Sequence, residues 1–289
     1  MKAIIIGANG QDGFYLNKIL SEKGIEVIGI SRTGNYLKTE ISDFDALKKI
    51  ISQHQPQYIF HLAANSTTAH HALFDNHNAI STGTINILEA VKQVSSHTKV
   101  FLSGSGLQFI NKDLPIKETD VFKASSAYGV ARIHSVYAGR YYRTLGLKIY
   151  VGYFFNHESP RRTERHVSKM IGEAVKRISR GSSEVIKIGD MSVKKEWTFA
   201  GDIMRGAFAL IEQDQVFEAV IGSGEGYTIE DYIERCFKYI GKESKDYIQM
   251  KEGFTAQYNQ LISDPLTILS LGWKPEKDFD DLVKMMVEE

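Results

Sequence analysis

The feature that most constrains the fold is a glycine-rich turn close to the N-terminus. Gly7, Gly10 and Gly13 follow the apolar run at residues 3–6 and lead into residues 12–23, where apolar side chains recur at helical spacing. Glycines at this spacing allow a tight turn, close approach of backbone N–H groups to a pyrophosphate, and close packing of helix on strand. A plain tight turn would also use glycines, but the strand–turn–helix context favours dinucleotide binding.

Short β-branched segments alternate with helical patterns through the first half of the chain. The predicted strands span residues 3–6, 26–30, 58–62, 99–102 and 148–153, and the predicted helices span residues 12–23, 43–53, 77–94 and 128–145. This alternation predicts a doubly wound, parallel α/β sheet. In the second half we predict a helix at 165–180 ending at Gly181, strands at 184–188 and 217–221, and helices at 227–240 and 278–287.

We therefore expect two units with more than one chain crossing between them. Residues 1–155 with about 197–222 are predicted to form a Rossmann-type dinucleotide-binding domain. Residues of about 156–196 with 223–289 are predicted to form a smaller α/β substrate-binding domain.

Charge and cysteine content narrow the class of partner. The 289 residues contain 35 Lys+Arg and 35 Asp+Glu, so no global field favours nucleic acid or an anionic membrane. No apolar stretch approaches the roughly 20 residues that span a bilayer. Cys236 is the single cysteine, which excludes an intrachain disulfide and fits a reducing, cytoplasmic compartment.

The end of the second predicted strand indicates which dinucleotide is bound. An acidic residue there would accept hydrogen bonds from a ribose 2′-OH, but the chain has Arg32 and no acid. A guanidinium pairs well with a 2′-phosphate, so NADP is favoured over NAD, although Arg32 could also be a solvated loop residue. The predicted cofactor-binding residues are Gly7, Asn9, Gly10, Gln11, Asp12, Gly13, Arg32, Leu62, Ala63 and Ala64.

Two later segments carry a family resemblance. Tyr128 and Arg132 stand four residues apart, on one face of a predicted helix. Residues 154–163 read Phe-Phe-Asn-His-Glu-Ser-Pro-Arg-Arg-Thr, and residues 271–275 read Leu-Gly-Trp-Lys-Pro. These segments resemble the GDP-mannose 4,6-dehydratase family of extended short-chain dehydrogenases/reductases, and the resemblance runs without a gap from Tyr128 to Ile171.

The resemblance implies a catalytic set with one substitution. It implies that Tyr128 moves a proton at a sugar hydroxyl, and that Ser105, or Ser103 if the register shifts, orients that hydroxyl. Arg132 stands where the family has a lysine, so the charge is kept while the geometry changes. Tyr128 and Arg132 would also contact the cofactor, and Glu40 or Asp43 would lie near its adenine.

A second departure concerns the acid that the dehydratases use to remove the C5 proton. That position falls on Leu107 or Gly106, depending on the direction of counting, and neither is an acid. Glu118 is a possible substitute base, but we expect it to cap a loop. Dehydration is therefore predicted to be impaired.

The resemblance also implies a nucleotide-sugar site and an oligomer. The implied substrate-binding residues are Asn65, Asn156, Glu158, Ser159, Arg161, Arg162, Lys169 and Lys195. Phe254 and Gln257 replace a family arginine and glutamate near the nucleoside, which weakens the expectation of guanine. The loop after Arg32 is short, so we expect a homodimer through helices 77–94 and 128–145 rather than a tetramer.

A metal site is not expected. His70, His71 and His77 cluster in sequence without accompanying cysteines or paired acids. The favoured function is NADP-dependent chemistry at sugar C4 of a GDP-hexose-like substrate, by 4-keto reduction, oxidation or epimerisation. True 4,6-dehydration and a catalytically silent homologue that binds NADP and nucleotide sugar are the alternatives.

Overall fold

The computed structural model describes residues 1–289. Its strands are β1 Lys2–Ile6, β2 Glu26–Ile30, β3 Tyr58–His61, β4 Lys99–Ser105, β5 Ile149–Phe154, β6 His157–Glu158, β7 Ile186–Ile188, β8 Lys194–Glu196, β9 Thr198–Phe199, β10 Glu218–Ile221, β11 Gly226–Thr228, β12 Ile248–Met250 and β13 Gln260–Leu261. Its α-helices are α1 Gln11–Glu22, α2 Phe44–His54, α3 Leu73–Asn76, α4 Gly83–Val94, α5 Ala127–Thr144, α6 Val167–Ser179, α7 Ala200–Glu212, α8 Ile229–Tyr239, α9 Leu266–Ser270 and α10 Phe279–Glu288.

A six-stranded parallel sheet forms the centre of the molecule, in the order β10-β5-β4-β3-β1-β2. Its central strands are buried on both faces, as expected for β-branched runs covered by crossover helices. One apolar core joins the sheet to α2, α4 and α5, and a second joins the other face to α1 and α7. This arrangement confirms the predicted doubly wound parallel fold.

Most boundaries differ from the sequence prediction by one or two residues, and helix α7 was not predicted. Three further differences have a clear structural basis. Strand β4 continues to Ser105 because it pairs with β5 as far as Phe154. Residues 77–94 are not one regular α-helix, since a π-helical turn at His77–Thr82 precedes α4; apolar periodicity alone does not distinguish these two helix types. Thr228 belongs to β11 and caps α8 through Asp231, so the helix begins later than predicted.

The second half forms its own layers. Strands β11, β8 and β13 form a three-stranded sheet, while α6, α8 and α10 enclose a third apolar core that includes Cys236. Trp197 stacks on Tyr232 in that core, with ring centroids 4.3 Å apart. We propose that these layers are the smaller substrate-binding domain. No helix combines the length and the apolar character needed to cross a membrane.

The edge strand β10 is attached to α5 by a charged cluster around Glu218. The Glu218 carboxylate accepts hydrogen bonds from Arg140 Nε at 2.9 Å and Tyr153 Oη at 2.6 Å, and it also pairs with Arg143. Burial opposes the charge, but the bonds from Arg140 and Tyr153 outweigh it and lower the pKa of Glu218 to about 2. The carboxylate therefore stabilises the fold above its ordinary pKa of 4.5, and this contribution disappears as the pH falls from 4.5 through 2.

Glu218→Gln is expected to lower the free energy of unfolding at pH 7 by about 2 kcal/mol and to weaken its decline between pH 5 and pH 2. Urea denaturation at a series of pH values measures both effects. Glu22→Gln, at the exposed end of α1, is the matched control. An unchanged acid decline in Glu218→Gln would contradict the assignment.

Candidate functional site

A cleft of about 420 Å³ opens at the carboxyl ends of β1, β3, β4 and β5, the edge where doubly wound sheets bind ligands. Most of the predicted site residues line it. They are Gly7, Asn9, Gly10, Gln11, Asp12, Gly13, Leu62, Ala64, Ser105, Tyr128, Arg132, Asn156, Glu158, Arg161, Arg162 and Lys195.

The glycine turn has the shape that a pyrophosphate requires. Gly7 has a φ of +96°, and a Cβ there would lie 2.8 Å from the Ala63 backbone nitrogen. A Cβ at Gly13 would lie 2.4 Å from the Gly7 carbonyl oxygen, so α1 can approach β1 this closely only without a side chain. Gly10 precedes α1 and provides no side-chain cap, which leaves the first N–H groups of α1 available to an anion.

The N-terminus of α1 is attached to the segment that follows β5. His157 Nε2 lies 3.0 Å from Asp12 Oδ1, and Ser159 Oγ donates to Gln11 Oε1 at 2.8 Å. Burial alone would raise the pKa of Asp12, but the adjacent His157 holds it well below its ordinary value. Sequence reasoning did not identify His157, because the two partners are 145 positions apart.

Tyr128 and Ser105 lie together in the cleft. Tyr128 stands at the start of α5, is 9% exposed and forms no hydrogen bond within the protein, so its hydroxyl is available to a ligand. Ser105 ends β4, and its Oγ accepts only the Leu107 N–H, at 3.2 Å. Its hydroxyl proton therefore remains free to donate.

Arg132 points away from solvent, toward the end of β4. Its Nη1 donates to the Ser103 carbonyl and, at 2.8 Å, to Ser103 Oγ. Its guanidinium carbon lies 5.0 Å from the centre of the Tyr128 ring. Ser103 Oγ in turn donates to the His61 carbonyl at 2.9 Å. Because Ser103 is fully engaged in this way, the geometry favours Ser105 as the serine that contacts a substrate.

A buried histidine lies beside this arginine. Burial, reinforced by the charge of Arg132, lowers the pKa of His61 to about 3. His61 is therefore neutral at physiological pH, and Arg132 is the positively charged group next to Tyr128.

The cleft holds no free carboxylate near Tyr128. Its only acidic lining residues are Asp12, paired with His157, and Glu158, which lies 3.1 Å from Arg162 and 3.7 Å from Lys195. Burial opposes the charge of Glu158, but Arg162 and Lys195 outweigh it and lower its pKa.

The positions expected for the dehydratase acid carry no charge. Gly106 packs against the Phe155 ring, and Leu107 lines the cleft with an apolar side chain. Glu118 lies outside the cleft, where it accepts hydrogen bonds from Val220 N and Thr267 Oγ1. It therefore joins a loop to β10 and is not placed to act as a base.

Some predicted residues do not line the cleft. They are Arg32, Glu40, Ala63, Asn65, Ser159 and Lys169. The prediction that Lys169 binds the substrate is not supported, since its ammonium lies 2.7 Å from Glu173 on the same helix. Ser159 instead donates a hydrogen bond to Gln11, and the backbone of Ala63 lies against Gly7. Arg32 and Glu40 are exposed on the loop beyond β2.

Four cations besides Arg132 line the cleft and form its cationic side, namely Arg161, Arg162, Arg165 and Lys195. Arg162 and Lys195 share the single carboxylate of Glu158, whereas Arg161 and Arg165 are exposed and form no ion pair. Arg161 stacks over Phe14 at 3.9 Å. Arg165 was not singled out from the sequence, although it continues the basic run that contains Arg161 and Arg162.

Comparisons with known proteins show the family of this chain. The family model "GDP-mannose 4,6 dehydratase" matches residues 4–286. GDP-mannose 4,6 dehydratase 2 of Arabidopsis thaliana is 31% identical over 323 residues, covering 99% of this chain and 86% of the relative.

Solved structures share the fold. A dTDP-glucose 4,6-dehydratase from Bacillus anthracis in complex with NAD superposes with a TM-score of 0.86 at 18% identity, covering 100% of this chain and 96% of that one. RMD from Pseudomonas aeruginosa complexed with NADPH gives a TM-score of 0.86 at 18% identity, with 99% and 97% coverage. The family match spans nearly the whole chain, so this protein belongs to the GDP-mannose 4,6-dehydratase family, a group of nucleotide-sugar enzymes of the short-chain dehydrogenase/reductase type.

Proposed function

We propose that this protein is an NADP-dependent oxidoreductase that acts at C4 of a GDP-hexose-like nucleotide sugar, in the synthesis of a deoxy- or otherwise modified sugar. The observation that carries the proposal is that Tyr128 and Ser105 line one cleft whose only carboxylates, Asp12 and Glu158, are both paired with basic side chains. Proton transfer at the C4 oxygen needs only Tyr128 and Ser105. The acid that the family uses to remove the C5 proton has no counterpart here, because uncharged Gly106 and Leu107 stand at its position.

The chain's own residues divide the work. A nicotinamide dinucleotide would supply or accept the hydride at C4, and the Gly7–Gly13 turn fits its pyrophosphate. Tyr128 would hold the proton that the C4 oxygen gains or loses, while Ser105 would orient that oxygen through its free hydroxyl. Arg132 would stabilise a Tyr128 phenolate through the positive charge beneath the ring.

The substrate's nucleotide portion is assigned to the cationic side of the cleft. Arg161 and Arg165 are the cations without a carboxylate partner, so they are the strongest candidates for the diphosphate. Asn156, just after β5, lines the same cleft as these arginines and Tyr128. The named relatives act on GDP-mannose, which favours a GDP-sugar.

The cofactor preference rests on Arg32. It is exposed just beyond the carboxyl end of β2, the position that faces the adenosine ribose in doubly wound folds. A guanidinium there would bind the 2′-phosphate of NADP.

Isotope transfer tests the reaction. Protein is incubated with NADPH carrying deuterium at the transferable position and a GDP-4-keto-hexose, and the product is examined by mass spectrometry. We expect one deuterium at C4. Incubation of GDP-mannose with NADP⁺ should leave its mass without the loss of one water. Loss of that water would instead establish 4,6-dehydration, which the relatives' names favour.

Arg132→Lys tests whether the altered site is a working one. We expect roughly a tenfold loss of C4 activity, because a lysine cannot keep the paired bonds to Ser103 while packing under Tyr128. Single-turnover rates at saturating NADPH measure the effect. A large gain in rate would support the alternative of a silent homologue in which Arg132 has displaced a functional lysine.

We also propose a homodimer formed through α4 and α5. Apolar side chains stand exposed along this region, with Val130, Tyr137 and Tyr141 each at least half exposed and Phe74 79% exposed. Light scattering after gel filtration should give twice the mass of the 32.5 kDa chain, and Tyr137→Glu should give a monomer. A cytoplasmic location is proposed on the single, unpaired Cys236.

A further inference from the structure

A second cavity, of about 290 Å³, adjoins the catalytic cleft. The two share Thr68, Leu107 and Leu261 in their linings. The second cavity therefore lies beside the catalytic cleft, next to Leu107. Its volume lies just under the range of small-molecule sites, which suits a substituent rather than a whole second ligand.

The second cavity carries one charge and no counter-charge. Lys123 is its only charged lining residue. The Lys123 ammonium forms no ion pair, and its backbone N–H is bound to the Gln108 carbonyl. Leu107, which lines both cavities, is apolar and provides no counter-charge.

The other polar groups of this cavity shape its wall. Asn111 donates to the Gln260 carbonyl and accepts the Asp113 N–H at 2.8 Å. Gln257 donates to Thr68 Oγ1 at 2.6 Å. With these groups engaged, Lys123 and the hydroxyls of Ser125, Ser126 and Tyr258 remain available as donors. The cavity therefore offers a positive charge and a hydrogen-bond donor to a ligand group.

The direction of this cavity fits the sugar rather than the nucleotide. Arg161 and Arg165, assigned to the diphosphate, line only the main cleft. Gly106 and Ser126, which line the second cavity, adjoin Ser105 and stand two residues before Tyr128, respectively, whereas the Gln257 amide is engaged by Thr68. We therefore assign a group that enters this cavity to the hexose.

We propose that the second cavity binds a carboxylate substituent of the hexose, as in a uronic acid, with Lys123 as its counter-ion. This inference rests on the proposed binding of a nucleotide sugar in the main cleft. It adds a substrate class, namely acidic nucleotide sugars, that the main cleft alone does not specify.

Calorimetric binding in saturating NADPH, which prevents oxidation at C4, tests the proposal. GDP-mannuronic acid is compared with GDP-mannose, and UDP-glucuronic acid with UDP-glucose, so that each pair differs only at C6. We expect about fivefold tighter binding of the acidic member at low salt, and a smaller ratio at high salt, because Lys123 is exposed.

Variants at Lys123 separate this contact from general charge. Lys123→Gln should abolish the preference without changing the affinity for the neutral sugar, and Lys123→Glu should reverse it. Lys92→Gln, on the exposed face of α4, is the control and should retain the preference. Equal affinities in the native protein, or a preference that survives in Lys123→Gln, would overturn the inference alone. Failure of all four nucleotide sugars to bind would overturn the proposed function as well.

Discussion

Tyr128→Phe is expected to reduce C4 hydride transfer by a factor of about 10²–10⁴, the usual contribution of a positioned acid or base. The hydroxyl forms no bond within the protein, so its loss removes the proton donor and leaves the structure intact. The ring packs against Ile80 and Ala131, and phenylalanine preserves that contact.

The measurement is the single-turnover rate of deuterium transfer, together with NADPH affinity and the unfolding midpoint. Affinity and midpoint should stay close to those of the native protein. Tyr141→Phe, on the exposed side of the same helix, is the matched control. A Tyr128→Phe protein with more than a tenth of the native rate would remove Tyr128 from the reaction.

Glu196→Ala is expected to lower the free energy of unfolding by about 3 kcal/mol, because it leaves several buried donors without an acceptor. Glu196 is completely buried at the end of β8. Its carboxylate accepts the Ser263 N–H, the Ser263 hydroxyl and the Ser223 N–H, each at 2.6 Å. Burial raises the pKa of Glu196, and the Ser263 bonds oppose that rise.

These bonds join the segment after β10 to the segment after β13, so their loss should also loosen the cleft wall formed by Leu261. Urea denaturation measures the effect, and Glu225→Ala, exposed nearby, serves as the control. A change below 1 kcal/mol would show that water replaces the carboxylate.

Much of the fold was predictable because its signals are local. The glycine turn, the strand–helix alternation and the capping of helices depend on neighbouring residues, and each prediction agrees with the structure within a few positions. The position of Tyr128 and Ser105 in one cleft was also predictable, since parallel strands end at the same edge of the sheet.

The remaining features depend on contacts between distant segments. The sequence does not reveal that Arg132 turns toward Ser103, or that Glu158 cancels the charge of Arg162. Lys169 shows the opposite case, because Glu173 stands four residues later on the same helix and the pairing could have been inferred from spacing.

The attachment of α1 to residues 157–159 has a consequence for the order of events during turnover. Gln11 and Asp12 belong to the dinucleotide turn, while His157 and Ser159 belong to the segment that leads to the diphosphate cations. If a bound dinucleotide shifts α1, these contacts would shift the proposed nucleotide-sugar side as well. Thermodynamic reciprocity would then make each ligand change the affinity of the other by the same factor, and the two sites would behave as a cooperative pair.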